Sequence, residues 1–512
     1  MRRFWTVIAL GASAFVHQTT PRPALTHRRA APLVDRVLDT LEDAAMHLSR
    51  LGEEPVDAAA APDDGRPTLL ILGSGWASHA LIKVVDASLY RVVVVSPRNH
   101  FVFTPMLASA AVGSVEYRSM TESVRSANPL VEFFEGSATR VDVEAKTVDA
   151  SLAALGEPGD RSLRLQFDAL VVAVGSRVAD AVVPGAAAHC YKLKDCEDAR
   201  RLREAIGERF ERAARAREGA EKRDLTFVVV GGGATGVELA GELSDFVGDV
   251  SRLYPRLPAD APAVVLVHSG DELLPQFDEE LRGEAARALR SRGVDVVLGG
   301  RVDEVREREL VLAGGEEIPC ALAVWCAGTA PQPLIDDLRD TLPASAFARD
   351  GRLRVDAWLR VPGARDVFAV GDAAFCRPPG DAEPVPQTAQ VAGQQGAFVA
   401  RLLNRRYDLR ADVPTLRADD ASAAAVWLRL RGCGDAPTFA FLNLGLLAYV
   451  GGGEALSQLQ VGDFRVGAYA GSAAYLLWRS VYIVKQVATR NRVLVTFDWI
   501  KTAIFGRDIT RL

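Results

Sequence analysis

Two glycine-rich stretches have residue types and spacing suited to a definite chemistry. They are Gly73-Ser74-Gly75-Trp76-Ala77-Ser78 and Gly231-Gly232-Gly233-Ala234-Thr235-Gly236. In such a loop the first glycine allows a tight turn and the second lets the backbone approach a pyrophosphate. The third position, Ser78 in one loop and Gly236 in the other, is small, so helix and strand can pack closely. Phosphates then meet the free N–H groups and the positive end of the dipole at the helix N-terminus. One such loop resembles any glycine turn. Two in one chain imply two bound dinucleotides, the arrangement for handing a hydride from one to the other. A third signal is Asp366-Val367-Phe368-Ala369-Val370-Gly371-Asp372, a short apolar strand ending in Gly-Asp. By itself this is also the pattern of a plain turn after a strand; beside two dinucleotide loops the favoured reading is that Asp372 accepts hydrogen bonds from the ribityl chain of a flavin.

The elements that must hold these loops are legible around them. The runs Thr68 to Leu72 and Thr226 to Val230 read as buried strands feeding each loop. Helical patterns follow, over Ala80 to Val85 and Val237 to Phe246, and second strands come at Arg91 to Val95 and Ala263 to Val267. Strand, loop, helix, strand is the order of a doubly wound α/β fold. At 512 residues the chain has room for two to four domains. A net charge of −6 offers no general basic field, so nucleic acid is not an expected partner. The six cysteines form no Cys-x-x-Cys pair and have no His-rich partner set, so no metal site is expected. No calcium-binding loop is inserted either.

The chain opens as a targeting segment does. Arg2 and Arg3 precede a short apolar run, Phe4 to Val16, with Ala12-Ser13-Ala14 inside it, and the first acid is Asp35. The run is too short to span a membrane. Phe15 to Pro32 stays basic and hydroxyl-bearing, with Arg22, Arg28 and Arg29. A signal-like core before a transit-like tail resembles the two-part plastid leader of algae with complex plastids; a mitochondrial presequence is the competing reading. Leu33 to Leu51 has helical apolar spacing through Val34, Val37, Leu38, Leu41, Ala45 and Leu48, and reads as a short helix against the body or against nothing in particular. Glu53 to Pro67 reads as a linker.

With these residues in hand, the sequence resembles the two-dinucleotide flavoproteins, and within them the type II NADH:quinone oxidoreductases. The resemblance runs from about Thr68 to Leu512. It is carried by Leu72 to Trp76, Val95-Ser96-Pro97-Arg98-Asn99-His100-Phe101, Phe103-Thr104-Pro105-Met106-Leu107 and Val230 to Glu238. Pro386-Gln387-Thr388-Ala389-Gln390-Val391-Ala392-Gly393-Gln394 and Leu477-Trp478-Arg479-Ser480-Val481-Tyr482 complete it. It implies an α/β chain of two Rossmann-like domains, one for FAD and one for NAD(P)H, plus a C-terminal membrane-surface helical region. The expected division is leader and linker at 1–66, FAD-binding domain at 67–195 and 346–424, NAD(P)H-binding domain at 196–345, and membrane-association region at 425–512. Hydride would pass from NADH to FAD, and two electrons from there to a quinone, without proton pumping.

The resemblance also implies roles. Gly73, Gly75, Ser78, Ser96, Arg98, Thr104, Gly175 and Asp372, with Gly231, Gly233, Gly236, His268 and Gly328, are the cofactor-binding candidates. Glu238 matches an acid near the nicotinamide, for substrate binding or proton supply. Gln390 and Gln394 match a segment beside flavin and quinone; at i and i+4 they share one helix face. Tyr482 matches an aromatic at the quinone entrance. A homodimer is a further expectation. Two departures stand out. The second strand of the NAD(P)H fold should end in an acid for the ribose 2′-hydroxyl, but Val267 is followed by His268 and Ser269, which leaves room for NADPH beside NADH. Gly393 stands where some relatives carry histidine, which bears on the choice of quinone. Ser96 in place of an acid follows the eukaryotic members.

From Gly471 to Leu512 two helix-length segments meet near Arg490-Asn491-Arg492. In the first, Leu476, Leu477, Ser480, Ile483, Val484 and Val487 share one arc and Trp478, Tyr482 and Lys485 another; in the second, Val493, Phe497, Ile500 and Ile504 form a stripe. Charges interrupt any run long enough to cross a bilayer, so helices lying in the interface plane of an organelle membrane are expected, against a helical pair closing the core. Two rivals remain. A sulfide:quinone reductase would use cysteines such as Cys190, Cys326 and Cys376, and a non-catalytic dinucleotide sensor would bind cofactor without turnover.

Overall fold

The computed structural model describes residues 33–50, 53, 65–153, 161–215, 222–257, 262–462 and 464–510. The leader and most of the linker expected from the sequence lie outside them. Six helices carry or brace the site residues: α1 (Leu33–Leu48), α2 (Trp76–Val84), α3 (Ala234–Val250), α4 (Ala389–Asn404), α5 (Ser472–Val484) and α6 (Thr489–Phe505). Contacts divide the chain into two compact units. One comprises 1–101, 123–176 and 331–441, the other 102–122, 177–330 and 442–512.

The first unit is built on an eight-stranded sheet. Its spatial order is Arg360–Val361, Ala364–Ala369, Ala169–Val172, Thr68–Leu72, Arg91–Ser96, Glu132–Asp142, Thr147–Leu152 and Ser162–Gln166. The central pairings are parallel, with Leu72 in register with Val95 on one side and Val172 on the other. Alternation along Thr68–Leu72 feeds two cores. Leu69 and Ile71 join Leu81 of α2 and Val391, Phe398 and Val399 of α4, while Leu70 and Leu72 join Val141, Val148 and Ile335. A strand buried on both faces explains why the sequence shows an unbroken apolar run there.

Helix α1 belongs to this unit, and it docks through its acids. Arg401 meets Asp43 at 2.7 Å, Arg405 meets Asp39 at 2.6 Å and Glu42 at 2.8 Å, and Arg431 meets Asp35 at 2.8 Å. The apolar residues Val37, Leu41 and Leu48 of the same helix are exposed. Just beyond it the buried guanidinium of Arg50 donates to the carbonyls of Ile82 and Lys83, satisfying acceptors that the C-terminus of α2 leaves open. So the segment before Pro67 braces the helix that begins at the first glycine loop.

The second unit holds a five-stranded parallel sheet in the order Cys190–Tyr191, Leu322–Trp325, Thr226–Val230, Ala263–Val267, Val294–Val297. Thr226–Val230 is buried throughout and leads into the second glycine loop and α3. A three-stranded antiparallel sheet, Gly445–Gly451, Glu454–Val461 and Phe464–Gly471, precedes α5 and α6. Helix α3 approaches it backbone to backbone: a Cβ at Gly241 would stand 2.7 Å from the Gly451 nitrogen. On α5 the buried arc is Ala474, Trp478 and Tyr482, with Leu476 and Val484 turned outward. On α6, Val495 and Trp499 are buried, while Val493, Phe497, Ile500 and Ile504 are exposed. The α6 stripe found in the sequence is therefore exposed throughout, whereas on the α5 arc Leu476 and Val484 are exposed and Leu477, Ile483 and Val487 half-buried. Among the described residues no helix is long and apolar enough to cross a membrane.

Candidate active site

In the first unit the glycine loop has the form its chemistry needs. Gly73 sits at φ +109°, and a Cβ there would come within 2.4 Å of the Ala173 carbonyl oxygen. Gly75 caps α2 with no side-chain hydrogen bond, and a Cβ on it would meet nothing within 4 Å. The space before the helix N-terminus is open to a ligand. Ser78 Oγ, one turn into α2, is buried without a hydrogen-bond partner among the described residues. An open cradle, an uncapped helix end and an orphaned hydroxyl together suit the pyrophosphate of a dinucleotide.

The hydroxyl that ends the second strand turns toward the loop. Ser96 Oγ donates to Ser74 Oγ at 3.0 Å, which donates to the His100 carbonyl at 3.0 Å, and Arg98 N–H donates back to Ser96 Oγ at 3.3 Å. Asp372 Oδ2 accepts from Ser176 Oγ at 2.7 Å, next to Gly175 at φ +68°. The residue before Asp372 is held from α4: buried Gln395 accepts the Gly371 N–H at 2.6 Å, and Gly371 lies at φ +65°. The helix reaches this position because Gly396 has no side chain; a Cβ there would overlap the Ala77 carbonyl oxygen at 1.9 Å. Gln390 and Gln394 lie half-buried on α4, whose N-terminus is capped by Thr388 Oγ1 accepting from Val391 N–H. A Cβ at Gly393 would meet nothing within 4 Å. Sequence reasoning missed Ser176 and Gln395. Gln395 is adjacent to Gln394, but helical spacing turns it about 100° away, toward the core.

In the second unit Gly231 lies at φ +119°, where a Cβ would come 2.9 Å from the Ala327 nitrogen, and a Cβ at Gly236 would stand 1.9 Å from the Gly231 carbonyl oxygen. Gly233 caps α3 with open space before it. The fit to a second dinucleotide is the same as at Gly75. His268 braces this loop: its Nδ1 accepts the Gly232 N–H at 3.1 Å, which requires an unprotonated Nδ1, and burial pushes the imidazole below its ordinary range. Gly328, at φ +72°, lies 3.3 Å from the Ala179 Cβ by the same test. Thr104 falls in this unit, apart from the other FAD candidates in the chain division. It opens a short turn, and the ring of Phe103 before it meets the Tyr482 ring edge-on at 5.8 Å.

Glu238, one turn into α3, is buried at 8 % exposure. Its Oε1 accepts from the Tyr449 N–H at 3.4 Å and from the Tyr482 hydroxyl at 3.5 Å. Burial pushes its carboxyl up to about 8, so it holds a proton at neutral pH. The Tyr482 ring packs on Trp478 with centroids 4.3 Å apart and planes tilted by 39°. A buried carboxylic acid beside a phenol can hold and release a proton under cover from solvent. The cysteines offer no comparable chemistry: burial pushes Cys190, Cys326 and Cys376 up to about 12 and Cys320 up to about 11, which keeps them as thiols.

Two glycine cradles at helix N-termini, one per unit, and a Gly-Asp turn beside the first define a two-dinucleotide protein. Comparison with known proteins gives the same result. The family model described as pyridine nucleotide-disulphide oxidoreductase matches residues 67–396, and that of the NDH2 C-terminal domain matches 443–508. A probable NADH dehydrogenase of Dictyostelium discoideum is 35% identical over 449 residues, covering 86% of this chain and 90% of its own. An internal alternative NAD(P)H-ubiquinone oxidoreductase A1, mitochondrial, of Solanum tuberosum is 32% identical, covering 97% and 98%. Among solved structures, NDH2 from Plasmodium falciparum in complex with NADH matches the fold with a TM-score of 0.76 at 21% identity, over 87% of this chain and all of that one. The chain belongs to the pyridine nucleotide-disulphide oxidoreductase family and, within it, to the type II NADH dehydrogenases.

Proposed function

We infer that the chain is an NAD(P)H:quinone oxidoreductase that moves electrons without pumping protons. The observation that carries this is the pair of open glycine cradles, one in each unit, each at an uncapped helix N-terminus. The first cradle, with Ser78, Gly175, Ser176 and Asp372, is assigned to FAD, and the second, with Gly236, His268 and Gly328, to the nicotinamide dinucleotide. When bound, FAD supplies the two-electron relay between a hydride donor and a quinone. Glu238 holds the proton that quinone reduction consumes, and Tyr482 fixes the rotamer of that carboxyl. Gln390 and Gln394 present two amides from one face of α4 to flavin or quinone. His268 places no negative charge where a 2′-phosphate would lie, so both NADH and NADPH are donors.

The outward aliphatic residues of α5 and α6 suit a surface that rests in the lipid interface, where a quinone is found. Relatives named as mitochondrial support a mitochondrial membrane; the two-part leader reading points to a plastid instead, and import of a tagged full-length chain separates them. Light scattering distinguishes one copy from two. The enzyme reading is tested by anaerobic titration. NADH should bleach the flavin absorbance and a short-chain quinone should restore it. A flavin left oxidised by NADH would sink this reading in favour of a dinucleotide sensor. The sulfide reading has no support in thiols held protonated by burial.

A further inference from the structure

The C-terminal tail is anchored more firmly than a chain end needs to be. The Arg507 side chain is only 8 % exposed, and its Nη1 meets Glu242 Oε2 at 2.8 Å. Its Nε lies 3.1 Å from Asp249 Oδ2 and its Nη2 3.8 Å from Asp245 Oδ2. Asp508 beside it is held by Arg203 at 3.0 Å. Glu242 is buried as well, and Ser109 Oγ donates to its Oε1 at 2.6 Å, Ser114 Oγ to its Oε2 at 3.3 Å. Its only cation is Arg507 among the described residues. Glu242 lies four residues beyond Glu238 on α3, so the two carboxyl groups occupy successive turns of one buried face.

We propose that Arg507 is a positioning residue for proton supply. By pairing with Glu242 it sets a cation one helical turn from Glu238, and so governs how readily Glu238 gives up its proton. The groups facing the site agree with this assignment. Around Glu238 they are the Tyr449 N–H, the Tyr482 hydroxyl and the Trp478 indole, with no cation among the described residues. Around Glu242 they are Arg507 and two serine hydroxyls. Asp245, next on the helix, is occupied by the Tyr449 hydroxyl and the Gly452 N–H. A cation held near a buried acid eases its ionisation, and Arg507 is placed to do this for Glu238 through the intervening turn of the helix.

This rests on the reading of Glu238 as proton donor, and the test separates the two. R507Q, R507K and the double variant E242Q/R507Q are purified with flavin. Quinone-dependent flavin reoxidation and thermal stability are then followed from pH 6 to 10. Without the cation, ionisation of Glu238 becomes harder. The alkaline limb of reoxidation in R507Q should therefore move up by about one pH unit. R507K should keep the wild-type limb, and E242Q/R507Q, with neither charge, should return toward it. In parallel, R507Q should lose stability more steeply with rising pH than the double variant. An unmoved limb in R507Q, or a shift retained in the double variant, overturns the proposal. So does equal destabilisation of both variants at every pH, which would make Arg507 a packing residue only. If E238Q leaves the limb unchanged in otherwise wild-type protein, the donor reading fails, while the stability arm still decides whether Arg507 acts on the ionisation of Glu238.

Discussion

At the scale of the residue, Glu238 shows how burial makes a reagent. Its carboxyl, raised from 4.5 to about 8, is stable in the fold only when protonated. The unfolded chain ionises first, so its contribution to stability is fully present below 4.5 and is lost as pH rises through 8. E238Q should flatten that slope, raising Tm relative to wild type at pH 9 and leaving it nearly level at pH 4. Quinone turnover should fall about 100-fold, as for loss of a general acid, and the alkaline limb should vanish. Steady-state rates and calorimetry across this range check both. His268 makes the complementary case. Replacing it with Asp places a carboxylate at the end of the strand Ala263–Val267, where a 2′-phosphate would meet like charge. The ratio of kcat/KM for NADPH over NADH should drop about tenfold, the equivalent of ~1.4 kcal/mol.

At the scale of the element, the glycine loops depend on close backbone approach. G236A would place a methyl group 1.9 Å from the Gly231 carbonyl oxygen, within a parallel strand–loop–helix unit that has little freedom to shift. NADH should lose about tenfold or more in apparent affinity, seen as a raised KM. Bound FAD should be retained, because the loop proposed for it is the one at Gly73 in the other unit. Flavin content after gel filtration and reduction by excess dithionite distinguish this from general unfolding. Helix α4 is a second case. Its glycine at 396 and its buried Gln395 bring one helix face to the Gly371-Asp372 turn, while Gln390 and Gln394 lie half-buried on another.

At the scale of the whole molecule, Val493, Phe497, Ile500 and Ile504 form an exposed apolar stripe on α6. F497E/I500E/I504E should abolish co-flotation with phospholipid vesicles while the protein still passes electrons from NADH to a short-chain, soluble quinone. Loss of both activities together would mean that the stripe stabilises the fold instead. Activity with a long-chain quinone in vesicles should fall more steeply than activity with the soluble one.

By itself the sequence determined the two glycine loops, their strands and their helices, because these follow from local spacing. A buried parallel strand must be continuously apolar, and a pyrophosphate turn must carry glycine at set offsets. It also showed that Leu476 and Trp478 lie on different arcs of one helix. The tertiary structure alone decided which arc faces inward, because periodicity shows which residues share a face and not what that face meets. For α1 the acids dock and Val37, Leu41 and Leu48 stay exposed, and for α5 the aromatic arc is the buried one. The same holds for Gln395 and for the pairing of Arg507 with Glu242, which are 265 residues apart. Burial and partner choice at that separation arise only when the chain is packed, and they determine where a buried proton can rest.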